Sequence, residues 1–368
     1  YLPLLQKLKI DSFFELEIIA FGTHLSKDHG YTITDIVKDG YNTIHEIISL
    51  VEDDSQKGIS TSYGNTVLKF SEFWENYSFD LVLCLGDRFE MSAAVQSGIP
   101  FEINFAHIHG GETTLGAIDE SIRHSVTKMS AFHFVATDAY KKRVIQLGES
   151  PSKIHCVGSL AVERIKKIKL ISKKNIEKKL NFKFDKKNFI ITHHPVTLNL
   201  KSAIHEVDAI LPALKKQQNT KKIFTMPNAD ADNEIIFKKI KKFCKNSNNN
   251  AVFFKSLGQR MYFSIIKNTN LVLGNSSSGI IEVPSLKVPC IDIGDRQGGR
   301  IRGKGIIKCL PNKKAIVRAI KKGLSKNFIN NLSFNKNPYE KKDTSKKILN
   351  ILIKSNLNNI LKKQFIDL

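Results

Sequence analysis

Short apolar runs alternating with helical patterns predict an α/β protein with parallel sheets, built as two Rossmann-like domains facing a cleft. Three observations carry this prediction. Runs of strand length recur along the whole chain, each ending in polar or Gly-rich residues, as at Phe79-Asp80-Leu81-Val82-Leu83-Cys84-Leu85-Gly86-Asp87. The second half of the 368 residues repeats the scheme of the first. The halves also differ in charge: residues 1–160 carry 13 Lys+Arg against 21 Asp+Glu, a net of −8, and residues 161–368 carry 44 against 14, a net of +30.

In chain order, strands are expected near 15–21, 79–85, 103–108, 132–136 and 154–157, with helices between them, for example at 92–98 and 117–130. The second set is expected at 188–192, 222–225, 251–254, 270–273 and 288–293. Strands separated by helices form βαβ units, so both sheets should be parallel. The connection near 160–185 contains no Pro or Gly and reads as a helix-bearing link. The expected domains are therefore 1–162, 163–341, and a C-terminal helical segment at 342–368 with a polar face.

Composition narrows the function classes. A chain of this length has room for two cores, and its hydrophobic content of 41% is ordinary for a globular protein. No uninterrupted apolar stretch approaches the roughly 18 residues of a membrane span, and no secretory signal is legible. The five cysteines (Cys84, Cys156, Cys244, Cys290, Cys309) are scattered and contain no C-x-x-C pair. Buried small hydrophobes in a reducing cytoplasm are the expectation, with no membrane partner. The formal net charge of +22 has three readings. A basic half suits a nucleotide diphosphate, a Lys-rich composition gives solvated helix faces, and nucleic acid is a third option. The chain has no RNP, helix-turn-helix or zinc-finger pattern, so no nucleic-acid partner is expected.

Chemistry concentrates in Gly86-Asp87-Arg88-Phe89-Glu90, His107-Ile108-His109-Gly110-Gly111-Glu112 and Ile118-Asp119-Glu120-Ser121-Ile122-Arg123-His124. The first two follow expected strands, and ligands of open parallel sheets bind outside the carboxyl ends of strands. Asp87, His109 and Glu112 are thus delivered to one crevice. On the following helix Asp119 and Arg123 are four apart, as are Glu120 and His124, which stacks each pair on one face. His107 and His109, two apart on a strand, with Glu112 and Asp119 nearby, raise a zinc site as an alternative. In the second half, Gly274-Asn275-Ser276-Ser277-Ser278-Gly279 follows a strand and opens a helix, so Ser276, Ser277 and backbone N–H groups offer an anion site; ordinary caps look similar.

These segments closely resemble the hydrolysing UDP-N-acetylglucosamine 2-epimerases of the sialic-acid pathway. The resemblance runs from Phe21-Gly22-Thr23-His24-Leu25-Ser26 to about Arg300, through Ile191-Thr192-His193-His194-Pro195-Val196-Thr197, Met226-Pro227-Asn228-Ala229-Asp230-Ala231 and the Gly274–Glu282 segment. It implies the glycosyltransferase-B arrangement, with terminal helices crossing back to the first domain. It also implies release of N-acetylmannosamine and UDP through a 2-acetamidoglucal, with no cofactor and no metal. A sugar nucleotide is the implied partner, in a homo-oligomer. The runner-up substrate is a GDP- or UDP-linked diacetamido-trideoxy sugar, and a non-catalytic sugar-nucleotide-binding relative is the other alternative. Family members begin with a strand and an Arg-bearing loop; a chain opening at Tyr1-Leu2-Pro3-Leu4-Leu5 is expected to lack that first strand of domain 1.

By the same resemblance Asp87 is an acid–base candidate, with a helix N-cap as the other reading. Arg88 matches an arginine near the diphosphate, or forms a structural ion pair. Relatives often carry Glu at the position of His109, so the base falls to His109, Glu112 or Asp119. His194 matches a histidine of the second domain, or packs its loop. Glu282 matches a residue accepting from the ribose hydroxyls, or is a solvated first-turn carboxylate. Arg296 and Asn228 match contacts of the nucleotide and the cleft, and Arg123 completes the binding set.

Overall fold

A computed structural model of the chain describes residues 1–367 apart from 28–29, 54, 195–199, 226–232, 249, 256 and 333, and of 200–203 and 233–234 the backbone alone. Among the described residues there are twelve short strands, all paired in parallel. The chain divides into two compact units: Tyr1–Glu112, Ile118–Glu163 and Tyr339–Leu368 form the first, Thr113–Ala117 and Arg164–Pro338 the second.

In the first unit β1 (Ile18–Phe21) pairs with β2 (Ile44–Ile47), and a separate sheet runs β3 (Val82–Leu85), β4 (Phe105–Ile108), β5 (Phe132–Val135), β6 (Ile154–Cys156) in that order. β2 escapes the sequence pattern because Ile44-His45-Glu46-Ile47 is four residues long and half polar. The second unit holds β7 (Lys187–Thr192), β8 (Thr220–Thr225), β9 (Ala251–Phe254), β10 (Leu271–Gly274), β11 (Cys290–Ile293) and β12 (Ile306–Cys309), in spatial order β12-β11-β10-β7-β8-β9. β12 also goes unforeseen, an isolated Ile-Ile-Lys-Cys run between glycines and Pro311. From β7 the chain winds outward through β8 and β9, then returns to lay β10 on the other side of β7. That reversal of order is a topological switch point, where α/β sheets place ligands.

The central strands β7, β10 and β11 of the second unit bury both faces, with a side-chain period of two. Phe189, Ile191, Leu271, Leu273, Ile291 and Ile293 join one apolar core; Ile190, Val272 and Cys290 join the other. In the first unit Leu4 and Leu8 of the helix Leu2–Ile10 pack with Ile348 and Leu352 of the helix Thr344–Lys354, over Phe132 and Phe134 of β5. The cysteines are all free, and burial pushes the Cys84 thiol up to about 12 and Cys156, Cys244 and Cys309 to about 11, so they are neutral packing groups. No helix among the described residues is long and apolar enough to cross a membrane.

The C-terminal segment corrects one expectation. Only Thr344–Lys354 is helical; beyond it, Ser355 is extended and the chain turns over 358–361, since Asn competes with helix through local side-chain bonds, as Asn356 Oδ1 does for Asn358 N–H. The tail is held by other means. Lys363 Nζ lies 2.7 Å from Glu149 Oε2, Ile366 N–H donates to Gly148 O at 3.0 Å, and Phe365 stacks on Gly148, where a Cβ would come within 2.4 Å of the ring. Lys128 at 2.6 Å and His133 at 3.0 Å complete the shell of the Glu149 carboxylate, whose side chain is 2% exposed. Burial alone would raise the Glu149 pKa, but these three donors outweigh it and hold it at about 2, against an ordinary 4.5. A depressed carboxylate adds stability that is complete above pH 4.5 and is lost as pH falls through about 2. The melting temperature of the parent should therefore exceed that of Glu149→Gln at pH 7, with a gap that closes on acidification below pH 4.5. A gap independent of pH would contradict this.

Candidate functional site

In the first unit β3 and β4 run in register from Val82↔Phe105 to Leu85↔Ile108, so the two strands end side by side. Gly86, with φ +89°, turns the chain out of β3, and Asp87 follows. The N-cap of the next helix, Phe89–Gly98, is Arg88, and no side chain caps it. Asp87 is therefore not a helix cap. Its carboxylate instead accepts Arg123 Nε at 2.9 Å, and Arg123 Nη2 pairs with the same oxygen. Arg123 is 1% exposed, and its Nη1 donates to Glu112 O at 2.9 Å and to Glu120 Oε2 at 3.1 Å. A guanidinium this buried positions two carboxylates and a turn; it presents no open face to a ligand, which corrects its reading as a direct binding residue.

β4 ends at Ile108, and His109 takes φ +73°, an uncommon conformation for a non-glycine residue. The His107/His109 pair of the sequence consequently separates. His107 is fully buried, with Nδ1 on Thr127 at 3.0 Å and Nε2 on Gly86 O at 2.9 Å, and burial lowers its pKa to about 3. A neutral His107 thus supports the turn before Asp87. His109 Nδ1 meets Glu112 Oε1 at 2.7 Å, with side chains 16% and 2% exposed. Gly111, at φ +75°, lies so close to Tyr140 O that a Cβ would come within 2.5 Å, and Arg143 Nη1 donates to its carbonyl at 2.5 Å. No group of three His, Cys, Asp or Glu side chains that could hold a metal exists among the described residues.

Asp119 opens the helix Asp119–Met129, and Glu120 follows in its first turn. Glu120 is the member of this set that sequence reasoning did not single out. The four-residue spacing pairs it with His124 alone, and the structure does place His124 Nε2 3.3 Å from Glu120 Oε1. The available signal was the three-residue spacing to Arg123, as favourable on a helix as the four-residue one. Arg88 donates to Glu90 three times, at 3.4, 3.1 and 3.0 Å, while its side chain stays 36% exposed.

In the second unit the switch point between β7 and β10 carries His193-His194 on one side and Asn275-Ser276 on the other. His194 is 5% exposed; His193, 2% exposed, has Nε2 3.0 Å from Glu206 Oε2. Ser276 caps the helix Ser277–Ile281, accepting from Ser278 N–H at 3.3 Å. This helix is five residues long and gives way at Glu282 to a second short helix, Val283–Leu286, because Pro284 cannot continue the first. Glu282 is therefore a junction residue and not a carboxylate one to two turns into a single helix. An anion here would be met by the local N–H groups and hydroxyls of residues 276–278 more than by a macrodipole. Arg296, in the loop after β11, donates through Nη1 to Asn275 O at 3.3 Å, and its Nε is buried without a protein partner among the described residues. Asn228 and the segment around it lie outside the described residues.

The model of the UDP-N-acetylglucosamine 2-epimerase family matches residues 6–353. The chain belongs to this family. It is 40% identical over 366 residues to a GDP/UDP-N,N'-diacetylbacillosamine 2-epimerase (hydrolyzing) of Campylobacter jejuni, covering 99% of this chain and 94% of that protein. It is 38% identical over 341 residues to the polysialic acid biosynthesis protein P7 of Escherichia coli, covering 92% and 86%. The crystal structure of the Neisseria meningitidis UDP-GlcNAc 2-epimerase bound to UDP-GlcNAc superposes with a TM-score of 0.79 over 96% of this chain and 95% of that one, at 17% identity, a likeness of fold.

Proposed function

We propose that this epimerase-family protein is a hydrolysing 2-epimerase of a nucleoside-diphosphate-linked 2-acetamido sugar, converting UDP-N-acetylglucosamine and water to N-acetylmannosamine and UDP. The observation that carries the reading is the linked set Asp87–Arg123–Glu120 beside His109–Glu112, at the carboxyl ends of neighbouring strands. The C2 proton of such a sugar is weakly acidic, and its removal becomes feasible as the C1–O bond breaks and UDP leaves with the bonding electrons. The product is a 2-acetamidoglucal. Water then adds, its oxygen to C1 and a proton to C2 from the opposite face. Two proton transfers at one carbon call for more than one titratable group held in place. The first unit supplies Asp87, His109, Glu112, Asp119 and Glu120 for these steps, and His194 is the acid–base candidate of the second unit. We assign the diphosphate to residues 276–278 and Arg296, and the ribose to Glu282. No step calls for a cofactor, and assembly as a homo-oligomer goes with the family reading.

A second substrate is favoured by one observation: the relative at 40% identity bears the name of a diacetylbacillosamine 2-epimerase. The enzyme would then act on a GDP- or UDP-linked 2,4-diacetamido-2,4,6-trideoxyhexose by the same chemistry. One experiment tests both. Each sugar nucleotide is incubated with the protein in D₂O, and nucleotide release and the free sugar are followed. The substrate should yield an inverted free sugar carrying deuterium at C2. Inversion with protium retained would exclude the elimination route, and release from the diacetamido sugar alone would move the assignment to the second substrate.

A further inference from the structure

β10 and β7 run in register until Gly274 faces Thr192, and one step later Asn275 N–H donates to Thr192 O at 3.2 Å. There the backbones part. Gly274, at φ +136°, passes so close to Thr192 that a Cβ would come within 1.8 Å of its carbonyl oxygen, and the chain swings away to Ser276 and the short helix. The side chain of Asn275 spans the opening. His194 N–H donates to Asn275 Oδ1 at 2.7 Å, and Asn275 Nδ2 donates to His194 O at 2.9 Å. A carboxamide places one donor and one acceptor in a plane, as a peptide unit does, so it continues the ladder by one rung where the main chain cannot. The carbonyl of Asn275 faces a third loop, accepting Gln297 Nε2 at 2.9 Å and Arg296 Nη1 at 3.3 Å. Asn275 itself is 0% exposed, so no ligand touches it.

We propose that Asn275 is a positioning residue: one buried residue ties the His194 backbone and the Arg296 loop to the Ser276 cap, so that the histidine and the anion-binding loops are set as a single piece. The catalytic part of this inference rests on the reading of His194 as an acid–base group. Few side chains can substitute. An ionised Asp accepts but cannot donate to His194 O, and Ser is too short to reach both atoms. Without the Asn275 side chain the buried His194 N–H and C=O would each lose a hydrogen-bond partner, which costs more than the bonds themselves contribute.

Two variants test this. In Asn275→Ala, amide exchange at His194 should accelerate by roughly tenfold, the size expected when a buried hydrogen bond is lost, while the amides of β7 keep their protection. In Asn275→Asp, turnover relative to the parent should be lowest at high pH and should recover as pH falls, because the neutral acid regains an O–H donor for His194 O. Unchanged exchange at His194 in the alanine variant, or a turnover ratio of the aspartate variant that is flat with pH, would overturn the proposal. A parent protein that releases no nucleotide from any sugar nucleotide would defeat the functional reading instead, and exchange at His194 would still decide the role of Asn275.

Discussion

Asp87→Asn is expected to lower turnover by about 10²–10⁴-fold, the range for removing a positioned acid–base group, while UDP binds as tightly as before. The amide is close in shape to the carboxylate, and its oxygen can still accept from Arg123 Nε, now 2.9 Å from Asp87 Oδ2. What it cannot do is carry a proton to or from the sugar. The groups assigned to the nucleotide, Ser276, Ser277, Glu282 and Arg296, all belong to the second unit, so the affinity should not change. Single-turnover kinetics with the substrate, alongside calorimetry with UDP, separates the two effects. Loss of UDP binding with turnover little changed would invert the division of labour between the units.

Arg123→Ala is expected to destabilise the first unit by about 3–5 kcal/mol, as removal of one partner from a buried ion pair typically does. Arg123 is buried with Asp87, Glu120 and the Glu112 carbonyl on its nitrogens, so truncation takes a charge partner from two carboxylates and a donor from a carbonyl and leaves a cavity. Arg123→Lys should recover only part of the loss, because an ammonium keeps the charge but not the planar fork that reaches three partners at once. With two units the unfolding need not be two-state. Hydrogen exchange resolved along the chain is therefore the suitable measure, and it should show β3 to β5 and the helix Asp119–Met129 losing protection while β7 to β12 keep theirs. Exchange equal to that of the parent in the alanine variant would show the network to be dispensable.

These two effects fall on residues of unequal legibility. Asp87 could be read from the chain, because an apolar run ending in Gly-Asp already says strand followed by an exposed polar group. Arg123 was readable only as half of a helical surface pair with Asp119. Its burial, and its choice of Asp87, depend on how the helix after β4 packs, which no local pattern encodes; only the three-residue spacing to Glu120 is local. The same holds for His107 and His109. Alternation along a strand puts them on one face, but the strand stops at Ile108 and the positive φ of His109 sends the two rings to different partners.

The sequence by itself determined the parallel α/β class, ten of the twelve strands among the described residues and the loops that hold the candidate site residues, because apolar periodicity and Gly or Ser punctuation are local properties of the chain. It also carried the family, through ordered motifs whose spacing survives without any structure. The tertiary structure alone decided that Arg123 is a buried clamp on Asp87, and that the tail beyond Lys354 is strapped down by Lys363 and Ile366 instead of helix. It alone showed Asn275 standing in for a missing rung between β10 and β7. Each of these rests on which distant residues a side chain meets, and that is set by how the elements pack, not by the residues beside it.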